Sequence, residues 1–214
     1  MICSLNEIEA LSRKAARGGG LSWGLAEEAG KAVRWLCDAG FPGARLLVAL
    51  LQLNDGKEYA ELVPQLGDGI WQTRGGRLCP VIAGSLICDR ADMLRQGEAL
   101  LFGDTALPLL LAPFAAEAAR LAEVSVVLEW PGARLSLGQG ATLAEGDAAA
   151  LEVACAGPVT LSRGARQGHA PAAGDVGRRL DTVTLGALEA FAQRTYAPAT
   201  EASRAGAGAG QDND

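Results

Sequence analysis

The fold is decided between residues 124 and 137, where the sequence is Val124-Ser125-Val126-Val127-Leu128-Glu129-Trp130-Pro131-Gly132-Ala133-Arg134-Leu135-Ser136-Leu137. The first half of this segment is rich in β-branched residues, which favour strands. Pro131-Gly132 is a turn signal, and apolar and polar residues alternate again after it. The segment therefore predicts a β-hairpin. A hairpin of this kind indicates that the fold contains a β-sheet.

Shorter strands are predicted on both sides of the hairpin, where short apolar runs are separated by glycine and charged residues. They cover residues 70–72, 78–87, 98–102, 151–155 and 159–162. Residues 108–121 predict a helix with Pro113 in its first turn, a position that tolerates proline. The apolar face of this helix is expected to cover the sheet.

The first third of the chain has helical spacing instead. Ser4 and Glu7 form a capping-box pattern ahead of a first amphipathic helix. A second helix is predicted between Ser22, a capping residue, and Gly40, which favours a helix end. Residues 43–53 are nearly all apolar and predict a third helix that is fully buried.

Together these elements predict a single α+β domain over residues 1–198. It comprises a helical part at 1–53, a β-rich part with one helix at 57–163, and a final helix at 181–197. We expect the N-terminal helices to pack on a mixed or antiparallel sheet and to have no independent existence. The Gly-rich residues 199–214 predict an extended tail.

Composition limits the classes of function. Apolar residues make up 49% of the 214 residues and charged residues 21%, which excludes a wholly disordered chain. Nineteen lysines and arginines against 25 acidic residues give a net charge of −6. An acidic chain is poorly suited to nucleic acid or to an anionic membrane surface, so neither is an expected partner.

The cysteines and the apolar segments indicate the compartment. The five cysteines follow no C-x-x-C spacing, which favours reduced thiols: Cys3, Cys37, Cys79, Cys88 and Cys155. No basic segment followed by an apolar one occurs at the start, so no secretory signal is expected. The most apolar segment, residues 106–116, is shorter than the roughly 20 residues of a membrane-spanning helix. We therefore expect a cytoplasmic protein.

Several short stretches carry a resemblance to a known family. They are Ser4-Leu5-Asn6-Glu7-Ile8-Glu9-Ala10-Leu11, Lys14-Ala15-Ala16-Arg17-Gly18, Ser22-Trp23-Gly24-Leu25-Ala26-Glu27-Glu28-Ala29, Glu201-Ala202-Ser203-Arg204 and Asp212-Asn213-Asp214. These stretches resemble an uncharacterised proteobacterial family, a domain of unknown function. Because they come from both ends of the sequence, the resemblance covers the whole chain. The resemblance implies a bacterial protein and brings no activity with it.

The first forty residues also resemble the helical start of the malate/L-lactate-type NAD(P) dehydrogenases of the non-Rossmann class. Those enzymes continue into an Asp-Ser-His-Gly segment that carries a catalytic histidine. The corresponding residues here are Gly40-Phe41-Pro42-Gly43, without a histidine. The resemblance therefore implies two similar amphipathic helices and does not bring the catalytic residue with it.

Arginines beside a flexible glycine pair are the main candidates for ligand binding. Arg74-Gly75-Gly76-Arg77 follows shortly after Trp71, and Arg90 lies further along the chain. Guanidinium groups suit carboxylates and phosphates, and glycines let backbone N–H groups approach a ligand. These residues predict a site for a small anionic metabolite, and the alternative is a solvated hairpin turn.

Two further places are candidates for binding. Trp23, with Arg17 nearby, either lines a pocket or anchors the start of its helix in the core. In the tail, Glu201, Ser203 and Arg204 either close over a ligand or dock into a neighbouring subunit. The sequence leaves these alternatives open.

Candidates for catalysis, metals and cofactors are few. Cys79 and Cys88 lie close to arginines, which favour a thiolate, so a thiol-dependent enzyme is one alternative. His169 is the single histidine, and no metal site is predicted. Gly138-Gln139-Gly140 lacks the last glycine of the dinucleotide-binding pattern, and no G-K-[ST] sequence occurs, so no cofactor is assigned.

The sequence thus favours a cytoplasmic protein that binds a small anionic metabolite, without establishing catalysis. The alternative from a different class is a non-catalytic subunit. Such a subunit would dock on a partner enzyme, or on a second copy of itself in a homo-oligomer, through its tail.

Overall fold

The structure is a computed structural model, and it describes residues 2–66, 69–138, 142–165, 168–169 and 177–196. The predicted tail at 199–214 lies outside the described residues. In the described part of the chain, no helix combines the length and the apolar character needed to cross a membrane.

The described chain opens with four helices, and strands and further helices follow in a mixed order. The helices are α1 (Leu5–Gly18), α2 (Trp23–Asp38), α3 (Gly43–Asn54), α4 (Tyr59–Leu62), α5 (Pro80–Asp89), α6 (Ala91–Gln96), a 3-10 turn (Pro108–Leu111), α7 (Ala112–Ala122), α8 (Ala148–Leu151) and α9 (Thr182–Gln193). The strands are β1 (Ile70–Trp71), β2 (Leu100–Phe102), β3 (Thr105–Ala106), β4 (Val126–Trp130), β5 (Ala133–Leu137), β6 (Leu143–Glu145), β7 (Cys155–Ala156) and β8 (Val159–Arg163). This content is that of an α+β protein, as predicted.

The main sheet has the strand order β1-β2-β8-β4-β5-β6. Strands β1 and β2 run parallel and the other neighbours run antiparallel, so the sheet is mixed. The predicted hairpin is confirmed as β4 and β5, which pair from Val126 with Leu137 to Trp130 with Ala133. Strands β3 and β7 form a separate antiparallel pair.

The capping signals of the first two helices are confirmed. Ser4 Oγ accepts a hydrogen bond from the Glu7 N–H at 3.2 Å, and the Glu7 carboxylate accepts one from the Ser4 N–H at 2.8 Å. Ser22 Oγ accepts a hydrogen bond from the Leu25 N–H at 3.4 Å. The first N–H groups of a helix have no partner within it, so these serines stabilise the starts of α1 and α2.

The prediction of a strand at residues 78–87 is wrong, because most of this segment lies in α5. The helix has Pro80 in its first turn, and its apolar residues are buried on several sides. A short apolar run without alternation does not distinguish a buried helix from a buried strand. Residues 151–155 likewise hold the end of α8 and the start of β7 instead of one strand. The part at 57–163 thus holds α4 to α8, where one helix was predicted.

Helix α7 lies between the sheet and the opening helices. It contacts β4 and β5 as well as α2 and α5. The buried side of the sheet carries a row of leucines that pair across four neighbouring strands: Leu100, Leu161, Leu128 and Leu135. The N-terminal helices are therefore joined to the sheet through α7, while α1 and α3 also contact α9.

Helices α5 and α7 approach each other closely at Gly84. A Cβ at this position would overlap the ring of Phe114, which is itself buried. We expect Gly84→Ala to lower the free energy of unfolding by about 1–3 kcal/mol, because a closely packed ring must move. Equilibrium unfolding in urea measures this change.

Gly186→Ala is the matched control, because Gly186 is a helical glycine in α9 whose Cβ would meet no atom within 4 Å. Alanine is preferred to glycine in an exposed helix by up to about 1 kcal/mol, so this variant should be more stable. Equal effects of the two substitutions would contradict the close packing of α5 on α7.

Candidate functional site

A cavity of about 400 Å³ lies where the end of α1, the start of α2 and the end of α9 meet. Its walls include three basic side chains of α1 and two aromatic side chains from separate parts of the chain: Arg13, Lys14, Arg17, Trp23 and Tyr196. We call this cavity, defined by these five residues, the Trp23 pocket. Trp23 and Arg17 both line this cavity, which corresponds to one of the two alternatives left open by the sequence, and ligand binding there stays a prediction.

The packing of α1 explains why these basic residues face outward. Ser12, Ala15 and Ala16 are buried on the opposite side of the helix. The end of α9 reaches the same place because α1 ends in glycine: a Cβ at Gly18 would overlap the carbonyl oxygen of Phe191. The absence of a side chain at this point lets α9 bring Tyr196 to the pocket.

Arg17 and Trp23 form the centre of the pocket. The Arg17 guanidinium carbon lies 5.2 Å from the centre of the Trp23 ring, which is a cation–π distance. The same guanidinium donates a hydrogen bond from Nη1 to the Leu21 carbonyl oxygen at 2.9 Å. These two contacts hold the arginine in place, and Trp23 nevertheless remains 72% exposed.

The pocket is a positive region on an acidic chain. Among the described residues, neither Arg13 nor Lys14 has an ion-pair partner. Glu27 also lines the cavity, and the Lys31 ammonium group lies 3.8 Å from its carboxylate but closer, at 2.9 Å, to that of Glu28. The three basic side chains of α1 outnumber this one carboxylate in the cavity wall. The positive end of the α2 dipole lies here too, and a Cβ at Gly24 would meet only open space. The arrangement suits an anion.

The glycine pair of the predicted arginine site is tied to α4. The Gly75 N–H donates a hydrogen bond to the Glu61 carbonyl oxygen at 3.0 Å, and the Thr73 hydroxyl group donates to the same oxygen. Gly76 has a φ of +79°, which suits a turn made by glycine. The Gly75 N–H is thus already used inside the protein, so it does not point to a ligand.

The three arginines of that prediction have different surroundings. Arg74 is exposed and Arg77 is half-buried, whereas the Arg90 guanidinium lies 6.0 Å from the ring centre of the buried Trp71. A cavity of about 530 Å³ beside this turn is lined by the neighbouring residues Gln72, Thr73, Gly76 and Asp104, but by none of the three arginines. An anion site at these arginines remains a prediction.

The two candidate thiols are in apolar surroundings. Cys79 is fully buried, and burial raises the pKa of its thiol. Burial also raises the pKa of the half-buried Cys88 to about 11, and the nearby carboxylates of Glu117, Glu28 and Asp89 act in the same direction. The neighbouring arginines had suggested a lower pKa. Both thiols are therefore protonated near pH 7, and the thiol-dependent enzyme remains an alternative for labelling to test.

The remaining candidates in the tail, Glu201, Ser203 and Arg204, lie outside the described residues. His169 is described, and its backbone pairs with Ala144 of β6. Sequence reasoning missed Arg13, Lys14 and Tyr196. The spacing of Arg13 and Arg17, four residues apart on one helix, was the local signal for the first of them.

Comparison with known proteins gives a family match over part of the chain. Residues 3–79 match a family described as "Protein of unknown function (DUF3726)". The match confirms the resemblance to an uncharacterised domain-of-unknown-function family. It includes the α1 and α2 parts of the Trp23 pocket, and it ends before α9. A search of curated proteins found no match.

The fold is similar to that of a malate dehydrogenase among the solved structures. The chain matches the crystal structure of malate dehydrogenase from Entamoeba histolytica with 9% sequence identity and a TM-score of 0.50. The match covers 68% of this chain and 49% of that chain, so this chain spans about half the length of that protein. At such low identity the likeness concerns the fold alone.

The raised pKa of Cys88 gives a testable pH dependence. The thiolate is the reactive form, so the rate of iodoacetamide labelling of Cys88 should rise roughly tenfold per pH unit between pH 7 and 10. Mass spectrometry of the Cys88 peptide measures this rate, with Cys88→Ala identifying the peptide. Rapid labelling at pH 7 that levels off below pH 9 would contradict the environment described here and favour a thiol enzyme.

Proposed function

We propose that this protein binds a small anionic metabolite in the Trp23 pocket. The observation that carries the proposal is the Arg17 guanidinium stacked on an exposed Trp23 inside a cavity that Arg13 and Lys14 also line. The proposal concerns binding and includes no reaction. It extends to a cytoplasmic location, which rests on five cysteines whose spacing favours reduced thiols.

Charge supports an anion as the ligand. Arg13 and Arg17 lie four residues apart, and like charges at this spacing destabilise a helix by a few tenths of a kcal/mol. A bound carboxylate or phosphate would remove this repulsion and accept hydrogen bonds from the guanidinium groups. Because the chain as a whole carries a net charge of −6, the local positive region also directs an anion to this place.

The exposure of Trp23 supports a ligand as well. A tryptophan at the start of a helix normally buries much of its surface, because its ring is large and mainly apolar. Trp71 and Trp130 follow this rule and are each 4% exposed. Trp23 lies instead in the wall of a cavity whose volume is within the range of small-molecule sites.

The second candidate from the sequence, a non-catalytic subunit that docks on a partner enzyme or on a second copy through its tail, stays a prediction. Its tail lies outside the described residues. Deleting residues 199–214 and measuring the stoichiometry of a co-purified complex tests that alternative separately from ligand binding.

A thermal-shift screen tests the proposed site. A panel of small carboxylates and phosphates, at constant ionic strength, should contain a ligand that raises the melting temperature. A ligand at 100 times its Kd stabilises the native state by about 2.7 kcal/mol. For a chain of this size that corresponds to a rise of roughly 5–10 °C.

Arg13→Ala and Arg74→Ala form a matched pair for the screen. Both remove an exposed arginine, but only Arg13 lines the Trp23 pocket. We expect Arg13→Ala to reduce the shift and Arg74→Ala to leave it unchanged. Loss of the shift in Arg74→Ala or Arg77→Ala, with retention in Arg13→Ala, would move the site to the turn at residues 74–77.

A further inference from the structure

We infer that the anion bound in the Trp23 pocket is aromatic: a planar ring that carries a carboxylate or phosphate group within a few bonds. This inference rests on the proposed function, because it specifies the ligand of the same pocket. It follows from the placement of two aromatic side chains beside the cationic ones, and a purely electrostatic anion site would need neither ring.

One face of the Trp23 indole is free to contact a ligand. Arg17 lies over the ring at 5.2 Å from its centre, and its hydrogen bond to the Leu21 carbonyl oxygen fixes it there. With one face of the indole occupied and 72% of the residue still exposed, a ligand ring can stack on the remaining face. Aromatic rings favour such offset stacking in addition to the apolar area that they bury.

Tyr196 adds a second aromatic surface to the same cavity. It is 62% exposed and lies immediately after the last turn of α9. Trp23 and Tyr196 come from opposite ends of the sequence, and the close approach of Gly18 to Phe191 brings them to one pocket. Neither ring contributes to the buried core, so their shared position points to a flat ligand.

Two further cations lie close to the stacked Arg17. Lys14 and Arg13 precede it by three and four residues, which is about 4.5–6 Å along the axis of α1. Both line the same cavity as the rings, so the anionic group of a stacked ligand has cations within the same walls. The first-turn N–H groups of α2 lie on the other side of the pocket, where Gly24 leaves open space.

Two dicarboxylates, compared at an alkaline pH where both are fully ionised, separate the effect of the ring from that of the charge. Phthalate has a planar ring, and cis-cyclohexane-1,2-dicarboxylate has the same two carboxylates on a saturated ring. In titration calorimetry with the full chain we expect phthalate to bind roughly 3- to 10-fold more tightly, because only its ring stacks on Trp23. Inorganic phosphate is the probe for charge without a ring.

Substitution of Trp23 tests whether its ring causes the difference in affinity between the two dicarboxylates. Trp23→Leu keeps an apolar side chain and should make the two dicarboxylates bind equally, whereas Trp23→Phe should keep part of the preference for phthalate. Because Trp23 is exposed, both variants are expected to fold, and far-UV circular dichroism checks this. In the native protein, phthalate should also protect Trp23 from acrylamide quenching, and Trp23→Leu should remove the most accessible component and leave the smaller one of the half-buried Trp35.

The outcomes separate this inference from the proposed function. If phthalate, its saturated counterpart and phosphate bind the native protein equally and lose affinity in Arg13→Ala, the anion site stands and the aromatic inference is wrong. If none of the three binds, the proposed anion site and the aromatic inference are both wrong. A phthalate preference that persists in Trp23→Leu overturns the assignment of the ring to Trp23.

Discussion

The Trp23 pocket depends on the contact between the end of α1 and the end of α9. This contact depends on Gly18, since any Cβ there would overlap the carbonyl oxygen of Phe191. An ion pair between Arg194 and Asp55, with Nη–Oδ distances of 2.7 and 3.1 Å, joins the end of α9 to the end of α3 as well. Through these contacts the chain brings residues about 180 positions apart to one pocket.

The same contact relates the opening helices to the rest of the molecule. Helix α1 packs on α2 and α9, and α2 packs on α5 and α7. Small residues make these approaches possible: at Gly30 of α2 a Cβ would lie 3.0 Å from the Glu9 carbonyl oxygen of α1. The apolar stripes seen in the first fifty residues are thus covered by helices, and α7, which packs on α2, also packs on β4 and β5. The sequence predicted that both the N-terminal helices and the helix at 108–121 pack on the sheet, and in the structure the latter, as α7, lies between the two.

How far the sequence predicts each element depends on whether its signal is local. The serine caps of α1 and α2 and the Pro131-Gly132 turn are local, and the structure has each of them. Helix α5 has no local pattern beyond Pro80, because a segment buried on several sides shows neither helical nor strand periodicity. The residues of the Trp23 pocket also differ in whether a local sequence signal links them. Arg17 and Trp23 are six residues apart and were paired from the sequence, whereas Tyr196 joins them through tertiary packing that no single-sequence pattern indicates.

The turn after α2 illustrates that a similar fold does not imply the same catalytic residues. Phe41 is buried, and a Cβ at Gly43 would lie 2.8 Å from both the Val33 carbonyl oxygen and the Leu36 Cβ. This turn is therefore filled by packing between α2 and α3, and its one large side chain, that of Phe41, is buried. The exposed functional groups lie instead at the other end of α2, around Trp23. A likeness in fold to a dehydrogenase therefore carries no chemistry to this turn, and recognition has to be argued from the side chains of this chain's own pocket.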